Sequence, residues 1–102
     1  FANDYGYENW VSKALEFYAD KDDYVILISS SGKSKNMINA AEFCIQKDIN
    51  FFVLTGFEEN NSLRQLSDLN IYVNSKNYNI VESTHQICIL SLVDLIAKNE
   101  FD

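Results

Sequence analysis

Proline is absent from this 102-residue chain, and there are only three glycines, two cysteines and one histidine. With no proline-rich, low-complexity or repeated stretch to mark a linker, and too few residues for two cores, residues 1–102 read as a single domain. Cys44 and Cys88 sit far apart within apolar helical patterns, which suits reduced, buried thiols and argues against a disulfide framework or a metal knuckle. Basic residues are scarce too. Eight Lys and Arg face fifteen Asp and Glu, a net charge of −7 that opposes nonspecific attraction to nucleic acid or anionic lipid. Any anionic ligand must therefore be held by locally aimed donors. To the eye, no apolar run reaches the roughly 18 to 20 residues of a membrane span, and "FANDYGYENW" is not a basic segment followed by an apolar one. The expectation is a soluble, cytoplasmic protein with neither membrane nor nucleic acid as partner.

What is present alternates short apolar strands with amphipathic helices. Trp10, Val11, Ala14, Leu15 and Tyr18 recur at helical spacing before "DKDD" breaks the pattern. A strand follows from Tyr24 to Ile28, nearly all apolar, as in a parallel sheet covered on both faces. The spacing then predicts a helix from about Lys35 to Lys47, with Met37, Ile38, Ala41, Cys44 and Ile45 on one stripe, and a second strand from Phe51 to Thr55. After Gly56, Ser62 and Gln65 have the spacing of a capping box for a short helix, and "NIYV" reads as a third strand. The last segment, about Asn79 to Lys98, is helical and apolar over most of its circumference, so it must be buried on several sides, in part by another subunit. Alternation of this kind predicts an α/β fold, a three-layer αβα sandwich around a parallel sheet.

Ligands in such folds bind at the carboxyl ends of the strands, and "ISSSGKSK" lies at one. Ser29, Ser30, Ser31 and Ser34 supply hydroxyls, Gly32 permits close backbone approach, and the next helix aims its unpaired amides and positive dipole end outward. Those are the parts of a phosphate cradle; the plainer reading is a turn with Ser34 as helix cap. The stretch is not a nucleoside-triphosphate loop, because that signature needs a glycine where Leu27 stands. No GxGxxG stretch supports a dinucleotide site either. A compact sugar phosphate suits a hydroxyl-rich pocket better than a nucleotide.

"NDYGYENWVSKALE", "DDYVILISSSGKSKNMINAAEFCIQKDINFFVLTG" and "NIVESTHQICILSLVDLI" resemble the sugar isomerase (SIS) domain family, and within it the phosphoheptose isomerase group acting on sedoheptulose 7-phosphate. The likeness runs without gaps from Asp4 to Leu95. It implies a Rossmann-like sandwich, and it implies that the chain is the C-terminal part of a longer protein whose N-terminal helices and first strand precede Phe1. It also implies that Ser29, Ser30, Ser31 and Ser34 hold the substrate phosphate and that Asp4 contacts sugar hydroxyls; a turn or helix-start role is the other reading of Asp4.

In the family, a glutamate on an N-terminal helix and a histidine on the last helix interconvert aldose and ketose through an enediol, and a glutamine on that last helix joins a zinc site in some members. This chain departs from the pattern. The glutamine position is Glu82 and the histidine position is Leu90, which can neither transfer a proton nor ligate a metal. Glu82 is a candidate base or ligand, or else a solvated carboxylate at a helix start. His85, three residues on, matches another histidine common in the family and is a second catalytic candidate; a hydrogen-bonded core residue is its other reading. Their i, i+3 spacing permits shared zinc ligation, but two ligands are a weak signal. The expectations are thus an isomerase of sedoheptulose 7-phosphate or a related sugar phosphate, assembled as a homodimer or homotetramer, or a non-catalytic sugar-phosphate-binding regulator or scaffold. A purely structural assembly domain is the plainest reading.

Overall fold

The computed structural model describes residues 10–20 and 22–101. Helix α1 (Trp10–Tyr18) is followed by strand β1 (Tyr24–Ile28), helix α2 (Lys35–Lys47), strand β2 (Asn50–Thr55), a three-residue 3-10 turn (Arg64–Leu66), strand β3 (Asn70–Tyr72) and helix α3 (Tyr78–Phe101). The strands form one parallel sheet in the order β1-β2-β3. Tyr24 lies opposite Asn50, Ile28 opposite Leu54, and Thr55 opposite Tyr72, so the strands' carboxyl ends rise together on one side.

Strand alternation sends Val25 and Leu27 of β1, with Phe51 and Val53 of β2, to one face. There they meet Ala40 and Ala41 of α2, Leu63, and Val11 and Leu15 of α1 in the main core. Small alanines let α2 lie close to the sheet. α3 crosses the opposite face, where Val81 meets Gly56: a Cβ on that glycine would come within 2.7 and 2.8 Å of the Val81 methyls. This is the αβα layering the alternation predicts. The covering of that second face is partial, however. Leu54 of β2 is buried there, but Tyr24 and Ile26 of β1 stay exposed, as do Ile87, Leu90, Val93, Leu95 and Ile96 of α3, so the expected double-sided burial is met only in part on this side.

Two readings of the sequence need correction. Ser62 is exposed and caps nothing; Asn61 Oδ1 accepts the Arg64 amide at 2.8 Å, and a single 3-10 turn replaces the expected short helix. Second, Tyr78–Lys98 is a 21-residue stretch of mean hydropathy 1.5, long and apolar enough to cross a membrane by length and composition. Interspersed polar residues conceal it by eye. In the fold this stretch is seated by buried Val81 and His85 against the end of β2, and Glu82 turns from it toward a polar cavity. α3 starts where Asn77 Oδ1 accepts the amides of Asn79 and Ile80 at 3.0 and 3.2 Å.

Both cysteines are free thiols; Cys44 is buried and Cys88 only half-buried. Burial pushes the Cys44 thiol above its ordinary value. In the native protein Cys88 should therefore label with a thiol reagent well before Cys44, and both should label in denaturant. Equal native rates would contradict this packing.

Candidate functional site

The polypeptide leaves β1 at Ile28 with a main-chain bond still tying it to β2, Ser29 N–H to Leu54 O at 3.0 Å. It then turns sharply at Gly32, whose amide donates to both the carbonyl and the Oγ of Ser29, each at 3.1 Å. Gly32 has φ +69, a left-handed conformation that suits glycine. Its carbonyl accepts the Leu63 amide at 2.9 Å, tying the serine loop to the loop after β2. Ser31 Oγ accepts the Lys33 amide at 3.1 Å. Because the oxygens of Ser29 and Ser31 receive backbone N–H groups, their own O–H bonds remain available as donors. Ser34 occupies the cap position of α2 but makes no capping bond with its side chain, and the first turn of α2 carries no acidic residue.

A cavity of about 390 Å³ opens here, lined by Ile28, Ser30, Ser31, Phe57, Tyr78 and Glu82. Ser30 is engaged differently from its neighbours: its hydroxyl donates to Glu82 Oε2 at 2.9 Å across the gap between the loop and α3. Tyr78, one turn before Glu82, lines the same cavity, and the accepting oxygens and negative charge of the Glu82 carboxylate beside it hold its phenol above the ordinary pKa. Phe57 has φ +62, unusual for a bulky residue, and is fixed there by its amide to Ser75 O and its carbonyl to Tyr72 Oη, both at 2.9 Å. A larger groove of about 690 Å³ runs between α1 and α2. It lies on the outer side of the helices, away from the strand ends where α/β folds assemble ligand sites.

Beneath the loop sits Asn61, 2% exposed. Its Nδ2 donates to Thr55 Oγ1, Gly56 O and Glu58 O at 3.0, 3.3 and 2.9 Å, while its side chain fills the space where a Cβ on Gly32 would stand. One buried amide thus props the serine loop and the β2 loop together.

His85 is 1% exposed and does not line the cavity. Its Nε2 lies 2.9 Å from Thr55 O; since a carbonyl only accepts, Nε2 carries the proton. Nδ1 has no hydrogen-bond partner among the described residues. In this position His85 anchors α3 to the end of β2, one turn beyond Glu82. Leu90 is 55% exposed on the outer side of α3. Asp4 lies outside the described residues. No group of three or more His, Cys, Asp or Glu side chains that could hold a metal occurs among the described residues. His85 Nε2 is engaged by Thr55 O and its ring does not line the cavity that Glu82 lines, so the i, i+3 pair does not converge on one position there.

Reading the sequence alone missed Asn61, Phe57 and Tyr78. Tyr78 had a signal, its i, i+4 spacing to Glu82. Asn61 and Phe57 had none, because a buried prop and a strained turn are set by distant packing.

The SIS domain family matches residues 13–97 of this chain. A phosphoheptose isomerase of Colwellia psychrerythraea is 32% identical over 98% of the chain and 52% of its own length. The phosphoheptose isomerase 2 of Campylobacter jejuni is 37% identical over 96% and 48%. Among solved structures, a phosphoheptose isomerase from Neisseria gonorrhoeae superposes with TM-score 0.84 at 27% identity, covering 93% of this chain and 54% of that one. One from Francisella tularensis gives 0.80 at 25%, covering 95% and 54%. The chain spans about half the length of the curated relatives it matches.

Proposed function

This chain belongs to the SIS domain family, and from that membership we propose that it binds a sugar phosphate at the serine loop and serves in aldose–ketose isomerisation of sedoheptulose 7-phosphate or a close relative. The observation that supports the reading is the loop Ser29–Ser34, with the Ser31 hydroxyl left free to donate at the cavity it lines and an acid-free helix start beside it. Residues 1–102 act as one phosphosugar-binding unit in this reading.

Charge divides the cavity. Two unit charges about 4 Å apart near a protein surface repel by roughly 4 kcal/mol, so a phosphate dianion avoids the Ser30–Glu82 side. It goes instead to Ser31, Ser34 and the α2 amides, and the sugar carbons extend toward Glu82. Ser29 braces the turn through Gly32. The exposed apolar side of α3 is the surface on which a homodimer or homotetramer would assemble.

Calorimetric titration with sedoheptulose 7-phosphate tests the cradle. Ser31→Ala should weaken binding about tenfold or more, the size of a lost hydrogen bond to a charged group. Unchanged affinity with Ser29 and Ser31 both replaced by alanine would sink the assignment. Turnover by the intact protein tests the isomerase limb. Leu90 at the family's histidine position favours a second reading, a non-catalytic sugar-phosphate-binding regulator. Firm binding with no turnover selects it.

A further inference from the structure

Resting on the sugar-phosphate reading of the serine loop, we propose that Glu82, held by Ser30, is a specificity-determining residue that turns away ligands bearing a second anionic group. The site then takes sugar monophosphates and rejects sugar bisphosphates and phosphorylated sugar acids.

Charge is distributed unevenly around the cavity. Of its lining residues only Glu82 is charged. Ion pairs among the described residues join Lys13 to Glu16 and Lys76 to Glu58, and none reaches Glu82. Its carboxylate therefore lines the cavity with no described cation to offset it. At the other end the charged residues are basic: Lys33 in the serine loop and Lys35 at the start of α2, beside the positive end of that helix. One end suits an anion and the other repels it.

Ser30 makes the repulsion effective. A free surface glutamate swings away from an incoming anion at small cost, whereas Glu82 is partly buried and its Oε2 accepts the Ser30 hydroxyl at 2.9 Å. One turn on, buried His85 holds α3 to Thr55 O. A carboxylate fixed in this way accepts hydrogen bonds from sugar hydroxyls and repels a phosphate or carboxylate brought to the same place. Glutamine, which stands at this position in the family, has the same length and no charge, so it accepts the hydroxyls without the repulsion. Glutamate here adds discrimination by sign.

Calorimetric titration of the intact protein with sedoheptulose 7-phosphate and sedoheptulose 1,7-bisphosphate supplies the test, because the two ligands differ only in the second phosphate. Wild type should bind the monophosphate about tenfold or more tighter, and the gap should shrink as salt rises. The overall charge of −7 also disfavours the bisphosphate, so the variants decide. Glu82→Gln keeps an oxygen for the Ser30 hydroxyl and should raise affinity for the bisphosphate about tenfold. Glu42→Gln removes the same charge from an exposed position of α2 outside the cavity and should leave the ratio as in wild type. Ser30→Ala releases the carboxylate and should close the gap about threefold. Equal binding of both ligands by wild type overturns the assignment and leaves the cradle standing. So does a Glu82→Gln ratio that stays unchanged, narrows only through weaker monophosphate binding, or is matched by Glu42→Gln. A Ser30→Ala ratio equal to that of wild type overturns the hold by Ser30. A wild type that binds neither ligand overturns the proposal together with the sugar-phosphate reading.

Discussion

Gly32→Ala will cost about 3 kcal/mol or more of stability, the sum of left-handed backbone strain and overpacking, and will also abolish measurable sugar-phosphate binding. At φ +69 an alanine carries the left-handed penalty, and its Cβ would fall on Oδ1 and Cγ of Asn61 and within 2.7 Å of Asn61 Cβ. Asn61 cannot step aside, because its amide is held by Thr55, Gly56 and Glu58 and its oxygen by the Arg64 amide. The loop must move instead. Moving Gly32 breaks its amide from Ser29 and its carbonyl from Leu63, and these bonds set where the Ser29 and Ser31 hydroxyls point. Equilibrium urea unfolding, with an unchanged slope as control for the denatured state, gives the first quantity, and titration with sedoheptulose 7-phosphate gives the second. A variant as stable as wild type with full affinity would show that the turn is not built as described.

The sequence announces what depends on local pattern. Continuous apolar strands, the helical stripe of α2 and serines at a strand end are legible because period and composition dictate them over a few residues. The order of elements from α1 to α3 follows from that pattern, and so does the location of the cavity at the mouth of β1. Harder to read are the links between segments distant in sequence. Ser30 looks like Ser29 and Ser31 in sequence, yet its hydroxyl is engaged by Glu82, 52 residues on. Ser34 looks like a cap and makes no cap bond, whereas Asn61, in a polar stretch with no periodicity, is the buried prop. The family resemblance pointed to His85 and Leu90 on α3, but only their placement separates them: one lies under the sheet's end and the other faces outward. For α3, length and composition alone meet the measure of a membrane span. What the fold adds is that Val81 and His85 of this stretch are buried against the end of β2 and that Glu82 lines the cavity.

The strongest effect among polar substitutions is expected at Asn61. In Asn61→Asp the amide nitrogen is replaced by a second carboxylate oxygen facing the carbonyls of Gly56 and Glu58, so attractive contacts become repulsions inside a buried pocket. About 3 kcal/mol or more should be lost, as when a buried charge is left without compensation. Asn61→Ala removes the same bonds without adding charge and should cost about 2 to 4 kcal/mol, the penalty for several buried groups left unpaired. The coupling to Gly32 is the sharper consequence. Alanine at 61 deletes Oδ1 and Cγ, the atoms a Cβ on Gly32 would strike, and retains only the Cβ at 2.7 Å. Gly32→Ala should therefore cost about 1 to 2 kcal/mol less in the Asn61→Ala background than in wild type, since residues in contact do not act additively. Backbone strain at φ +69 remains in both backgrounds, so the second substitution stays destabilising. Strict additivity in a double-mutant cycle measured by urea unfolding would mean that the two side chains do not share this space, and the serine loop would lose its physical support.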